Sequence, residues 1–491
     1  MSDSGPRCAR ASGAALLGLL AASWGGGGCS AECSGPGCAT SYQTAHLSWI
    51  TALQPGEVRD VSGDATGEWI GTLRQGTDWR VTTALGRALT GQPDADQVVA
   101  TSARATQGDL NPLSTWSGEA GTGFGRDLVA LEAASGTDLW VSAPDSGFGA
   151  GSVSLFRGTD LSARTHDLTQ AWTTLVGATP NDRLGTSLVA CGDLAQSDGA
   201  AELLIGSPWF AQPERDVPWR GQVPSLAGAV FLVRSYAIDN RAGTFFPWEV
   251  GSSWFAPETG AGAGQAMACD LDLDEDGAID VLIGAPYASA GAGRLYVLAG
   301  ASLPDDGSLD GVPYLEGFAD DDWFGASVVT FVHNGAPFVA VGAPGAEAGA
   351  GRVYLFRGTD LTEPAEPVDP LTGALTAEPR TAFSSPAGGV ELPGTHFGRT
   401  LEIGDLDGDD RDDLIVGTPD AQGPNANDFD TGAVEVWFGR RNWEAEEPTP
   451  DVRILGTDPF QRIGRSVAPA DLDGDGIDEL LLPTRSRTPT R

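Results

Sequence analysis

Three runs of aspartate are the residues in this chain best arranged for chemistry. In DLDEDGAID, residues 272–280, Asp272, Asp274, Asp276 and Asp280 stand at positions 1, 3, 5 and 9, with Gly277 at position 6. Alternate side chains on a tight loop converge on one point, and the glycine permits the turn. A calcium ion takes six to eight oxygens at about 2.3–2.6 Å. Carboxylates packed this closely repel one another when no cation lies between them. The spacing therefore reads as a calcium loop, with the Ala278 carbonyl as a further oxygen. In DLDGDDRDD, residues 405–413, Asp405, Asp407, Asp409 and Asp413 take the same places. Asp410 replaces the glycine, and aspartate tolerates left-handed backbone better than most residues. In DLDGDGIDE, residues 471–479, Asp471, Asp473 and Asp475 fit, Gly476 is in place, and Glu479 replaces the last aspartate. Apolar strand residues follow each run directly, so the loops belong to β-hairpins and not to helix–loop–helix units. The run 191–202 keeps Asp193, Asp198 and Glu202 at the wrong spacing, and Asp60, Asp64 and Glu68 form only a partial match.

Other chemistry has less to work with. The four histidines (His46, His166, His333, His396) lack a metal-ligand partner at helical spacing, and no G-x-S-x-G elbow is present. All 29 basic residues are arginine, so a lysine-dependent phosphate loop cannot form. The chain is expected not to be an enzyme. The alternatives are a secreted propeller hydrolase or lyase acting on polysaccharide, which needs an acid-lined central pocket, and a structural cell-envelope protein.

Repeats supply the elements that must hold these loops. LWVSAP (139–144), LLIGSP (203–208), VLIGAP (281–286), VAVGAP (339–344) and LIVGTP (414–419) each follow a start such as FGRDL (124–128), FGASV (324–328) or FGRTL (397–401). A third segment comes next, as in GRVYLFRG (351–358) and GAVEVWFG (432–439), and then a fourth, as in AWTTLVG (171–177) and DVRILG (451–456). Alternating apolar residues between glycines mark strands, and four strands recurring every ~60–80 residues make a propeller blade. The combination resembles the FG-GAP repeat of the integrin α-subunit propeller, which also occurs in bacterial surface proteins. The fold expected is all-β, a propeller of four-stranded antiparallel blades. Six blades can be counted, and the resemblance implies seven. GEWIGTLRQGTD (67–78) looks like VSLFRGTD (153–160), and so reads as an orphan strand that closes the ring by completing the last blade.

The 68 glycines fit a fold of many tight turns, and the net charge of −38 speaks against nucleic acid and anionic lipid as partners. Arg7 and Arg10 precede the apolar run 14–22, which is too short for a membrane span. Residues 1–28 read as a signal peptide, with Cys29 a candidate lipidation site, possible in an outer-membrane lipoprotein. An exported location, extracellular or at the cell surface, follows. Residues 29–59 read as a linker, 60–483 as the propeller and 484–491 as a tail. Cys191 and Cys269 hold equivalent places in two repeats and read as two small buried residues. Loop parity puts the acidic loops on one face. The opposite face carries 209–225, where Trp209, Phe210 and Trp219 are candidates to bind a protein or glycan partner, in an adhesion or ligand-binding role.

Overall fold

The computed structural model describes residues 40–43, 53–59, 68–75, 78–85, 114–117, 121–133, 136–157, 166–194, 200–211, 223–238, 241–304, 306–362, 374–375, 377, 379–385, 394–422, 429–439, 443, 449–456, 460–470 and 476–482. They form a β-propeller of mostly four-stranded antiparallel sheets. Sheet I comprises Leu53–Arg59, Glu68–Gln75, Asp78–Leu85 and Ser114–Ser117. Sheet II follows with Leu128–Ala133, Gly136–Ala143, Ser152–Phe156 and Thr173–Val176. Sheet III has Ser187–Cys191, Glu202–Ser207, Ala229–Val233 and Gly251–Phe255. Sheet IV has Ala266–Ala268, Val281–Ala285, Arg294–Leu298 and Tyr314–Glu316. Sheet V has Ser327–His333, Ala336–Ala343, Arg352–Arg357 and Thr381–Phe383. Sheet VI has Thr400–Gly404, Asp413–Thr418, Ala433–Trp437 and Val452–Leu455. Sheet VII, among the described residues, pairs Ala468–Ala470 with Glu479–Leu481. The first strand of each sheet lies beside that of the next, and the first strand of sheet VII lies beside that of sheet I.

The repeated glycines explain how neighbouring sheets come so close. A methyl group on Gly342, in the second strand of sheet V, would overlap the carbonyl oxygen of Gly398, which opens sheet VI. The same contact joins Gly206 to Gly264, Gly284 to Gly325 and Gly417 to Gly464. Gly398 has φ +78°, which costs glycine little. The N–H of Gly325 also donates to the Gly342 carbonyl at 3.0 Å within its own sheet. The residue before this glycine packs into the core: Phe324 and Phe397 are both buried.

A second device covers sheet edges. The connection between third and fourth strands lays a short parallel strand on the outer strand of the preceding sheet. His166–Asp167 pairs with sheet I, Gly243–Phe245 with sheet II and Gly307–Ser308 with sheet III. Outer edges that would otherwise invite intermolecular pairing are thereby occupied.

Three expectations change. Residues 68–75 do not complete the last sheet. They pair with 53–59 on one side and 78–85 on the other. Only Gly76 and Thr77 separate 68–75 from 78–85, so the local hairpin costs little closure entropy. The stretch 29–59, read as a linker, carries the first strand of sheet I and the strand Thr40–Gln43, which lies parallel on Val452–Leu455 of sheet VI. Cys191 and Cys269 are buried as expected but joined in a disulfide, with Cα atoms 5.2 Å apart, linking sheets III and IV.

Two outcomes test this packing. Gly342→Ala should lower stability by about 1–3 kcal/mol through overpacking. It should lower it more than Gly311→Ala, where no atom lies within 4 Å of the added methyl and only the positive φ is strained. Urea unfolding of both variants measures the difference. Replacing both Cys191 and Cys269 by serine should remove about 2–5 kcal/mol, read from the same titration in oxidised and reduced protein.

Candidate metal centre

Both described aspartate runs lie in hairpins between the first and second strands of their sheets, 272–280 in sheet IV and 405–413 in sheet VI. Carboxylate oxygens of Asp272, Asp274 and Asp276 lie within 4.8 Å of one another, and so do those of Asp405, Asp407 and Asp413. Each group could hold a metal ion. The donors are all hard oxygens, which suits calcium or magnesium better than softer transition metals.

The backbone is shaped to bring them together. Gly277 has φ +95° and Asp410, at the equivalent place, φ +58°. Aspartate thus adopts the left-handed geometry that the sequence required of it. The Asp272 carboxylate accepts from the N–H groups of Asp276 at 3.1 Å and Gly277 at 2.7 Å. Asp405 accepts from Gly408 at 2.8 Å, Asp409 at 3.2 Å and Asp410 at 2.8 Å. In both loops the first aspartate gathers the turn around itself.

The ninth residue has a structural role that the spacing alone did not reveal. Asp413 is fully buried, and its two oxygens accept from Leu406 N–H and Gly439 N–H, each at 2.8 Å. Asp280 does the same with Leu273 and Gly300, both at 2.8 Å. Each ties its hairpin to the end of the third strand. Glu202 fills this place in sheet III, where the ligand set is incomplete, and accepts from Leu194 N–H at 2.8 Å. The ninth acid therefore serves the hairpin whether or not the other ligands are present. Asp413 still belongs to its oxygen group, whereas Asp280 falls outside the triplet of its own loop.

Electrostatics favour a cation at both loops. Burial, and then the negative Asp407 and Asp405, push Asp413 up to about 7. Burial raises Asp280, with Asp274 and Asp272 adding to it. Asp274 is also raised, first by desolvation and then by Asp276 and Asp272.

The remaining expected residues divide. Ala278 is buried and its N–H donates to Asp276 at 2.9 Å. Asp409 is exposed and stands outside the second oxygen group. Asp471, Asp473 and Asp475 lie outside the described residues, while Glu479 begins a strand. Cys29 and Trp219 also lie outside the described residues. Phe210 is not available to a partner: it is 2% exposed and packs edge-on against Phe231. Trp209 is half-buried and stacks on Tyr287 of sheet IV, with ring centroids 5.2 Å apart.

Exposed apolar side chains on the opposite face are Phe148, Leu226, Phe318, Phe429 and Phe460, all in loops between second and third strands or between sheets. Loop parity could have named these loops, but not which side chain within each turns outward. Beside Phe429 and Phe460, Arg462 pairs with Asp430 at 2.7 Å and Asp420 at 3.3 Å.

Residues 397–437 match the FG-GAP repeat model. The chain is a β-propeller that carries an FG-GAP repeat in sheet VI and resembles integrin α over part of its length. Integrin alpha-3 of Cricetulus griseus is 33% identical over 116 residues, 24% of this chain and 9% of that protein. Phosphatidylinositol-glycan-specific phospholipase D of Mus musculus is 34% identical over 214 residues, 40% of this chain and 23% of that protein. The chain thus spans under a quarter of the length of these relatives. Among solved structures, the C-terminal WD40 domain of Sif2 matches 89% of this chain and 96% of its own, at 8% identity and TM-score 0.41. No helix among the described residues is long and apolar enough to cross a membrane.

One acid away from the loops has a testable consequence. Glu402, in the first strand of sheet VI, is pushed up to about 8 by burial and then by the negative Asp127. A carboxyl that holds its proton more tightly when folded stabilises the fold fully below its ordinary value of 4.5, and that stability is lost as pH rises toward 8. Glu402→Gln should therefore be more stable than wild type at pH 8 and equal to it at pH 4. Melting temperatures across that range check the outcome, and a gain independent of pH would contradict it.

Proposed function

We propose that this chain is a calcium-binding, seven-bladed propeller that binds a protein or glycan partner on the face opposite its metal loops, as an adhesion or ligand-binding module without catalysis. The observation that carries the reading is the pairing of two carboxylate triplets at one end of the sheets with exposed aromatics at the other. Asp272, Asp274 and Asp276 would hold one ion, and Asp405, Asp407 and Asp413 a second. Asp471, Asp473, Asp475 and Glu479 are the ligands proposed for a third. A bound cation would cancel the repulsion within each set and stiffen glycine-rich hairpins.

Seven sheets with neighbouring first strands all the way round support a closed seven-bladed ring. Exposed Phe148, Phe318, Phe429 and Phe460 offer a partner large apolar contacts, and Arg462 with its two aspartates offers polar ones. An exported location is supported by the signal-like residues 1–28 and by the disulfide, which an oxidising compartment favours.

The likeness to a phospholipase D favours a second reading, in which the propeller is the accessory part of a secreted hydrolase. The two readings separate on activity: the second requires hydrolysis of a glycolipid or polysaccharide by the purified full-length protein.

The calcium reading is tested by thermal unfolding with millimolar calcium and with chelator. At a concentration 100-fold above Kd, one site should add about 2.7 kcal/mol. Asp274→Ala and Asp407→Ala should each lose part of the calcium-dependent rise in melting temperature and leave the chelated value little changed. An identical melting curve with calcium and with chelator would refute it.

A further inference from the structure

We propose that Asp478 of sheet VII, which belongs to neither described oxygen group, is a positioning residue for the second calcium loop and sets its affinity by holding Asp405 in place. The inference rests on the calcium reading above.

Asp405 is the first ligand of its run, and its carboxylate gathers the turn 408–410. Its backbone is held from the neighbouring sheet. The Asp405 N–H donates to Asp478 Oδ2 at 3.0 Å, and the Asp478 N–H donates to the Asp405 carbonyl at 2.7 Å. The seat is tight: a methyl on Gly404 would lie 2.6 Å from Asp478 Oδ2 and 2.6 Å from Pro469 Cβ. Asp405 thus leaves its strand with both backbone polar groups fixed by a residue across the sheet junction.

The same arm appears one junction earlier, where it lands on no ligand. Asp412 stands in the second run where Asp478 stands in the third, directly before the last acid. Its Oδ2 accepts from Val332 N–H of sheet V at 3.0 Å. Val332 occupies the place of Asp405 in a hairpin that carries no ligand set. Pro337 stands at the arm's place in sheet V, so no such carboxylate reaches back to the first loop. At Ile279, the arm's place in sheet IV, an apolar side chain packs toward Gly192 of sheet III instead. Among the described residues the carboxylate arm crosses two sheet junctions, V to VI and VI to VII, and in the second of these it reaches a metal ligand. Groups that orient a ligand from behind typically change metal affinity when they are removed.

Calcium titration calorimetry on the full chain tests this. Asp473→Ala is included throughout, so that the third loop, whose ligand Glu479 adjoins Asp478, does not contribute. One background silences the first loop with Asp274→Ala, and the other silences the second with Asp407→Ala. Asp478→Ala should raise the Kd of the second loop about tenfold and leave the Kd of the first unchanged. Asp478→Asn, whose amide oxygen can still accept from Asp405, should restore the parent value. If the alanine variant does not fold, Asp478→Glu, with its acceptor displaced by one methylene, should weaken the second loop in the same selective way. An unchanged Kd in the second loop, or equal weakening of both loops, overturns the role of Asp478. A second loop that takes up no calcium with Asp478 intact overturns the calcium reading itself.

Discussion

The whole arrangement depends on backbone meeting backbone between neighbouring sheets. Sheets IV to VII each open with a glycine whose carbonyl lies against a glycine in the second strand of the sheet before. That carbonyl also accepts from the preceding sheet, as Ser187 Oγ donates to Gly264 at 2.8 Å and Ser327 Oγ to Gly398 at 2.7 Å. Since Gly264 and Gly325 are bonded within their own sheets as well, the contact passes from Gly206 through Gly264, Gly284, Gly325 and Gly342 to Gly398, and it recurs between Gly417 and Gly464. A side chain at any of these points would push two sheets apart. The glycines of the repeat are therefore a packing requirement, and the apolar residues around them fill what that approach leaves.

The metal loops rest on this frame by means that do not need the metal. The ninth acids Asp280 and Asp413 anchor their hairpins to the ends of their third strands with buried hydrogen bonds, and Glu202, in the corresponding place of sheet III, accepts from Leu194 within its own hairpin. What differs between a ligand-bearing loop and one without is the set of acids at positions 1, 3 and 5. Loss of those acids from a repeat leaves the hairpin intact, which is why sheets III and V keep the fold without the oxygen clusters. The cation is expected to act on local rigidity and on charge repulsion more than on the existence of the hairpin.

Much of this was legible in the sequence because it is local and periodic. The strands follow from apolar alternation between glycines, and the loops from aspartates two residues apart. Left-handed backbone at Asp410 follows from its position alone. Features that depend on distant partners were not legible. Residues 68–75 carry the pattern of a third strand, and the pattern fixes strand character without fixing neighbours; 53–59 and 78–85 supplied those. Cys191 and Cys269 read as small apolar residues because nothing in 78 residues of separation states that two sheet junctions bring them together. Phe210 and Phe148 occupy comparable loops, yet one is 2% and the other 93% exposed. Loop parity gives the face of the molecule and not the direction of a side chain.

The central claim is that carboxylates gathered by these hairpins hold calcium ions. Anomalous diffraction from crystals grown with calcium, and again with a lanthanide in its place, tests it most directly. The account predicts one peak among Asp272, Asp274 and Asp276 and another among Asp405, Asp407 and Asp413, each at about 2.3–2.6 Å from several oxygens. Ordered loops with no peak in either triplet, at a cation concentration well above millimolar, would contradict it.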